Sequence, residues 1–113
     1  MENCLFCKII KGEIPATKVY EDENMVIIKD IDPKAKYHHL CLPKSHFKLL
    51  ADMNEEQSEM LKKCFEVIPT LKDLLHLDNG YRLVINQGED AGQTVFHLHI
   101  HILSGQKMGW QPA

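Results

Sequence analysis

The sequence predicts an α+β protein built on one antiparallel sheet, and three patterns support this prediction. β-branched residues form short runs of strand length on both sides of a long amphipathic stretch over residues 54–75. Turn-forming residues 22–24 separate two of these runs, which is typical of a hairpin. Histidines alternate with aliphatic residues over residues 97–102, as on a strand with one buried face. The predicted order is a short helix, three strands, a long helix and two strands, with the helices largely on one side.

The composition is that of an ordinary globular protein. Of the 113 residues, 44% are hydrophobic and 26% are charged, which predicts a single domain over residues 1–113. The formal net charge of -3 does not favour binding to a nucleic-acid backbone, so polymeric nucleic acid is not an expected partner. No apolar run reaches the roughly 20 residues that cross a bilayer, and the N-terminus shows no secretion leader. We therefore expect a cytoplasmic protein without a membrane partner.

The N-terminal segment predicts a short helix over residues 4–11, ended by Gly12. Cys4 and Cys7 lie in this helix as a CxxC pair, which could form a redox dithiol, provide half of a zinc site or simply be buried. Four cysteines in a chain without a leader do not indicate a disulfide framework, so we expect reduced thiols.

Three predicted strands follow this helix. Residues 17–22 and 25–30 form the hairpin, and Asp30 and Asp32 stand where its second strand ends. Their carboxylates could accept hydrogen bonds from a sugar, although a turn-stabilising role is more common. Residues 38–43 predict the third strand, with His38 on one face and His39 on the other. His46 follows this strand, at a position that is more often a surface residue than a ligand.

Residues 54–75 predict the long helix. Asn54 and Gln57 form a capping-box pattern at its start, and apolar residues then recur at spacings of three and four. Pro69 interrupts this pattern and predicts a bend or break near Phe65. Residues 78–80 predict the stop, and residues 81–86 the fourth strand.

The strongest chemical signal is the predicted fifth strand, residues 95–103. His97, His99 and His101 share one face of this strand, with neighbouring Cα atoms about 6.6 Å apart. That spacing suits a phosphate group or a metal ion. Two interpretations remain open: the imidazoles bind a catalytic metal, or one imidazole is itself the nucleophile. The preceding turn, residues 88–94, could offer backbone N–H groups to a phosphate or be a plain hairpin loop.

With these residues in view, the chain resembles the histidine triad (HIT) nucleotide-binding family, whose signature is His-x-His-x-His followed by two apolar residues. Residues 97–103, HLHIHIL, match this signature. The resemblance extends along the chain through FCKII at residues 6–10, EIPA at 13–16, GYR at 80–82 and Trp110. Within the family, the chain is most similar to the purine nucleoside phosphoramidase branch with a CxxC zinc site.

This resemblance implies a HIT-like fold, in which a five-stranded antiparallel sheet with one long and one or two short helices extends across a homodimer. It also implies hydrolysis of purine nucleoside phosphoramidates through a nucleotidyl-histidine intermediate. His99 stands at the position of the nucleophile, His101 at that of the residue contacting phosphate and leaving group, and His38 at that of the family's fourth histidine. The implied nucleotide-binding residues are Phe6, Ile9, Asp30, Ile31, Asn86, Gly92, Gln93, Thr94, His99, His101 and Trp110, the last reaching the neighbouring subunit's site.

The resemblance further implies a structural zinc bound by Cys4, Cys7, His46 and His97. Four protein ligands leave no open position for water, so such a zinc would tie the N-terminal helix to the sheet. The sequence departs from the commonest family pattern at three places. Thr94 stands where serine is usual, Ser104 replaces a glycine, and His39 replaces an apolar or small residue.

Two other functions remain open at this point. One is a metal-dependent hydrolase that uses His97 and His99 as ligands, and activity undiminished by chelators would count against it. The other is a nucleotide-binding, zinc-stabilised interaction module with little turnover, which an assay with an adenosine phosphoramidate would distinguish from an enzyme.

Overall fold

A five-stranded antiparallel sheet forms the frame of the protein, and the computed structural model describes residues 3–109. Strands β1 to β5 lie in the order β1-β2-β3-β5-β4, and their bounds are Lys18–Glu21, Met25–Lys29, Tyr37–Pro43, Tyr81–Val84 and Ile100–Ser104. Helices α1 to α3 cover Leu5–Ile10, Glu55–Val67 and Lys72–Leu75. The predicted α+β class, with one antiparallel sheet and one long helix, is confirmed. Within residues 3–109, no helix is long and apolar enough to span a bilayer.

Helix α1 packs on one face of the sheet. It begins at Cys4, whose Sγ accepts a hydrogen bond from the Cys7 N–H at 3.3 Å, and it ends before Gly12, where φ is +82°. Phe6 and Ile9 point from α1 into a buried cluster with four strand residues: Val26, Ile28, Leu40 and Leu42. The histidine side of β5 lies on this same face, because Leu40 and His101 are cross-strand partners.

Helices α2 and α3 cover the opposite face. The buried residues there include Leu61 and Cys64 of α2, Leu75 of α3, and strand residues Met25, Ile27, Cys41, Ile100 and Ile102. The prediction that the helices lie largely on one side therefore holds for α2 and α3, whereas α1 lies on the other side. Its apolar pair Phe6 and Ile9 requires an apolar surface, and the face of β2 and β3 that α2 and α3 leave uncovered supplies one.

The long predicted helix is divided as Pro69 indicates. The capping box is present, since the Asn54 side chain accepts from the Gln57 N–H and the Gln57 side chain accepts from the Asn54 N–H. Helix α2 ends at Val67, and a 3₁₀ turn over Ile68–Leu71 leads into α3. Helix α3 stops earlier than residues 78–80, because His76 takes the left-handed conformation with φ 60°.

Candidate active site

The histidine segment, residues 97–103, presents its imidazole rings on one face of the sheet. Only its last part, from Ile100 onwards, pairs with neighbouring strands. Strand β5 begins at Ile100 rather than at position 95, because its ladder with β3 ends where Cys41 pairs with Ile100, and its ladder with β4 ends one residue later, at His101. Before that point the main chain bonds elsewhere, and the Leu98 N–H donates to the Phe47 carbonyl at 2.7 Å. The alternation of sides continues nevertheless, since the aliphatic residues are fully buried on the α2 side: Leu98, Ile100 and Ile102.

His99 is held in one tautomer by the main chain. Its Nδ1 lies 2.8 Å from the carbonyl oxygen of His97. A carbonyl oxygen can only accept, so Nδ1 carries the proton and donates it. In the neutral ring the lone pair is then at Nε2. The ring is 7% exposed and packs edge-on against Phe6, with centroids 4.9 Å apart.

A main-chain N–H group fixes the tautomers of two further rings, those of His38 and His101. The Lys34 N–H donates to His38 Nδ1 at 2.9 Å, so the neutral His38 ring carries its proton at Nε2. That nitrogen lies 2.9 Å from His101 Nδ1 and donates to it, which leaves the His101 proton at Nε2. The site therefore combines a lone pair on His99 with an N–H donor on His101, and these two ring centroids are 5.1 Å apart.

Burial keeps the rings of this site neutral. It lowers the pKa of His101 from 6.5 to about 4, and the neighbouring His99 and His38 act in the same direction. Burial also lowers the pKa of His99 and that of His38. The Asp30 carboxylate, 3.4 Å from His38 Nε2, acts in the opposite direction on the pKa of His38. At neutral pH, uncharged imidazoles thus face any phosphate that enters the site.

Four metal-binding side chains converge beside the triad. One donor atom from each of Cys4, Cys7, His46 and His97 lies within 4.8 Å of the others. Cys7 Sγ is 3.2 Å from His46 Nδ1 and 3.5 Å from His97 Nδ1. A sulfur and a nitrogen bound to one tetrahedral zinc lie about 3.5 Å apart, so the spacing fits this metal. The donor set thus supports a structural zinc, as the resemblance implied.

The protonation of these ligands also fits a bound cation. His97 Nε2 lies 2.7 Å from the Pro43 carbonyl and must donate, which turns the Nδ1 lone pair towards the cysteine sulfurs. Burial raises the pKa of the Cys7 thiol to about 11, and the nearby Cys4 adds to the shift. A buried thiolate at this position therefore needs a positive charge beside it, which zinc supplies.

The predicted base and ribose residues lie on α1 and after β2. Phe6 and Ile9 are buried, whereas Ile31 is fully exposed. Asp30 is half-buried, and its Oδ1 accepts from the Asp32 N–H at 2.8 Å, the turn-stabilising bond expected of an aspartate at a strand end. Its second oxygen is the one that faces His38.

The predicted phosphate residues lie in the loop between β4 and β5. Asn86 is half-buried and Thr94 is exposed. Gly92 ends a short 3₁₀ turn with φ +82°, a conformation that favours glycine. Trp110 lies outside the described residues.

Gln93 has a structural place within this loop. It is buried, and its Oε1 accepts from the Gly88 N–H at 2.8 Å. Its Nε2 donates to the carbonyls of Lys48, at 3.0 Å, and Val95, at 3.4 Å. The amide therefore ties the loop to itself and to the segment after β3.

Comparison with known proteins identifies the family. A family model described as scavenger mRNA decapping enzyme C-term binding matches residues 3–111. The chain is 48% identical over 103 residues to protein HitA of Neisseria gonorrhoeae, and the match covers 91% of this chain and 96% of that protein. The chain belongs to the histidine triad family.

Further relatives of this histidine triad protein include one with the same fold and one named for binding zinc. A HIT family hydrolase from Legionella pneumophila matches with a TM-score of 0.90 and 45% identity, covering 98% of this chain and 100% of that one. The 14 kDa zinc-binding protein of Zea mays is 43% identical over 110 residues, which is 96% of this chain and 86% of that protein. The recognition from residues 97–103 is confirmed, and the CxxC group fits the zinc branch.

The donor atoms of this histidine triad site do not favour a catalytic metal. In the described part of the chain, His97 and His99 share no metal-binding group. Asp30, His38 and His101 do form a second cluster. However, a main-chain N–H occupies His38 Nδ1, so the nitrogen that faces the cluster carries a proton instead of a lone pair.

Sequence reasoning missed three main-chain groups of the histidine triad site. They are the carbonyls of Pro43 and His97 and the N–H of Lys34. Every residue type except proline offers both backbone groups, so residue identity carries no signal for these contacts. Only the folded chain brings them to the rings.

Proposed function

We propose that this protein hydrolyses purine nucleoside phosphoramidates, cleaving the P–N bond of AMP–amine or AMP–lysine conjugates through a nucleotidyl-histidine. The observation that supports this most strongly is the His99 ring, which is neutral, buried and protonated at Nδ1, with its lone pair at Nε2. The oxygens of a phosphate repel an anionic nucleophile, whereas a neutral imidazole meets no such repulsion.

In the first step, the Nε2 lone pair of His99 attacks phosphorus. A P–Nε2 bond forms while the P–N bond to the amine breaks, and the departing nitrogen takes up a proton from solvent. His101, with its N–H at Nε2, is assigned to contact the phosphate and the leaving group. The His99 ring becomes a cation in this step, and the His97 carbonyl that accepts its Nδ1–H stabilises the charge.

In the second step, water attacks the same phosphorus atom. The P–Nε2 bond breaks, its electron pair returns to His99, and one proton of the water is released. The products are the nucleoside monophosphate and the free amine, so His99 is again neutral for the next cycle. His38 keeps His101 in the required tautomer throughout by donating to its Nδ1.

The nucleotide pocket in this proposal has three parts. The apolar contacts for the purine are Phe6, Ile9 and Ile31. Asp30 offers a carboxylate oxygen to the ribose hydroxyls. The phosphate is bound by the loop between β4 and β5, through Asn86, Gly92 and Thr94, where N–H and O–H donors oppose the charge that develops in the transition state.

Zinc has a structural role in this proposal. Cys4, Cys7, His46 and His97 would hold it as four protein ligands, so it stabilises the fold without an open position for substrate. It would join α1, the segment after β3 and the start of the histidine segment. The cysteines must remain reduced to bind it, which is consistent with the cytoplasm.

We also propose that two chains form a homodimer through β4. The edge strand β1 has a register shift and carries Lys18 and Glu21, whose charges disfavour pairing with another strand. Strand β4, at the opposite edge, carries the half-buried Leu83 and Val84. Joining two β4 strands would extend the sheet, and we propose that Trp110 of one subunit reaches the site of the other, as the resemblance implies.

An assay with adenosine 5′-phosphoramidate tests the proposed function. The wild-type protein is expected to release AMP, and His99→Asn is expected to lower kcat by at least about 10³-fold while AMP still binds. His76→Asn is the matched control, because His76 is exposed and asparagine accepts its left-handed backbone. Undiminished turnover by His99→Asn would refute the nucleophile. AMP binding without turnover in the wild type would instead support the interaction module.

A further inference from the structure

We infer that His97 is a positioning residue through which the zinc site sets the tautomer and orientation of the nucleophile His99. The inference rests on the proposed function and deepens it, because it gives the metal site a role in catalysis that involves no contact with substrate. Three observations support it: the contacts of the His97 ring, the hydrogen bond that the His97 carbonyl accepts, and the hydrogen bond that holds the following peptide unit.

The His97 ring is held at both nitrogens. Its Nδ1 lies 3.6 Å from Cys4 Sγ and 3.5 Å from Cys7 Sγ, at the distances of a shared tetrahedral metal. Its Nε2 donates to the Pro43 carbonyl at 2.7 Å, and the side chain is fully buried. With zinc bound, the ring can neither rotate nor exchange tautomers.

The same residue holds His99 through its main chain. The His97 carbonyl accepts the Nδ1–H of His99 at 2.8 Å, and this bond keeps the lone pair at Nε2. Ring and carbonyl are both attached to one Cα atom. A shift of the His97 main chain after the ring loses its metal would therefore move the carbonyl away from His99.

The peptide unit between His97 and Leu98 is anchored a second time. The peptide is planar, so the His97 carbonyl and the Leu98 N–H move together. This N–H donates to the Phe47 carbonyl at 2.7 Å, and Phe47 directly follows His46 in the chain. Two of the four zinc ligands therefore adjoin the two ends of the hydrogen bond that orients this peptide.

Loss of zinc would leave the peptide unit held only by the bond from the Leu98 N–H to the Phe47 carbonyl, and the His97 ring only by its bond to the Pro43 carbonyl. His46 and His97 would no longer share a bound partner, the peptide unit could rotate, and both neutral tautomers of His99 would become accessible. A population with its proton at Nε2 has no lone pair to attack phosphorus. Because His99 supplies the attacking lone pair, kcat would fall.

Nitrogen-15 NMR of the histidine rings tests this inference without requiring turnover. Loss of activity alone would not separate this role from that of a catalytic metal, so the tautomer of His99 is the primary readout. His46→Ala is expected to lose zinc and to show His99 as a mixture of tautomers, with kcat at least about 10-fold lower. His46→Cys keeps a four-ligand set and is expected to retain zinc and the single Nδ1–H tautomer.

The inference is wrong if zinc-free His46→Ala keeps His99 entirely as the Nδ1–H tautomer. Should that variant not fold, the same spectra of the wild-type protein before and after zinc withdrawal by a chelator, and after zinc is returned, give the same comparison. A tautomer change in a protein that never cleaves phosphoramidates would support the inference and refute only the proposed reaction.

Discussion

At three histidines of the site, a main-chain neighbour decides which ring nitrogen carries the proton. The His97 carbonyl does this for His99, the Pro43 carbonyl for His97, and the Lys34 N–H for His38. The side-chain pattern was sufficient to predict that these residues matter and which face they share. It could not predict their tautomers, because backbone groups are the same at nearly every position.

At the same scale, Gln93 is expected to act on the phosphate loop and not on the phosphate itself. Gln93→Ala leaves the Gly88 N–H and the Lys48 carbonyl without their partner, so we expect the free energy of unfolding to fall by about 1–3 kcal/mol. We also expect a raised KM for adenosine 5′-phosphoramidate, because the loop is less ordered. Urea unfolding and steady-state kinetics measure the two effects.

Gln87→Ala provides the control for this prediction. Gln87 lies in the same loop, but its side-chain oxygen accepts from the exposed Leu50 N–H, so its loss should cost less stability. Equal losses of stability in the two variants, or an unchanged KM in Gln93→Ala, would show that Gln93 does not organise the loop.

At the scale of elements, the positions of helices and strands followed from local patterns, but only some of their limits did. The capping box fixed the start of α2 and Pro69 its end. The start of β5 was predicted too early, because alternation persists through His97 although the ladder with β3 begins at Ile100. The extent of pairing depends on where the neighbouring strands β3 and β4 lie, which no local pattern reports. The face chosen by α1 likewise depends on which side of the sheet remains uncovered.

Strand β3 carries a buried histidine outside the site. His39 is 3% exposed, and within residues 3–109 its Nδ1 has no hydrogen-bond partner. Burial lowers its pKa below 6.5, and the positive charges of His76 and Lys29 add to this shift. As the pH falls below 6.5, the unfolded chain therefore takes up a proton before the folded one, and the stability from this residue is lost.

His39→Leu is consequently expected to stabilise the protein. At pH 7.5 the gain in the free energy of unfolding should be about 1–3 kcal/mol, because an unpaired polar atom is removed. The gain should be larger at pH 5.5, where the wild-type ring opposes folding through its lowered pKa. Urea unfolding at both pH values measures it, and phosphoramidase activity should be unchanged because His39 lies on the α2 face. A gain that shrinks at pH 5.5 would contradict this explanation.

At the scale of the whole molecule, the sheet leaves β4 available for a second chain. We expect light scattering to give twice the mass of one chain. Trp110 is the only tryptophan, so its fluorescence reports directly on the segment proposed to reach the neighbouring site. AMP binding is expected to change this emission. A monomer at all concentrations, with emission unaffected by AMP, would rule out a site shared between subunits.

The central claim is that His99 forms a transient bond to phosphorus, and trapping that bond tests it most directly. The protein is mixed rapidly with adenosine 5′-phosphoramidate, quenched in alkaline denaturant and digested, and the peptide containing residues 97–103 is sequenced by mass spectrometry. The account predicts an AMP adduct on His99 that appears before free AMP accumulates. Turnover without an adduct, or an adduct carried by His97 or His101, would contradict it.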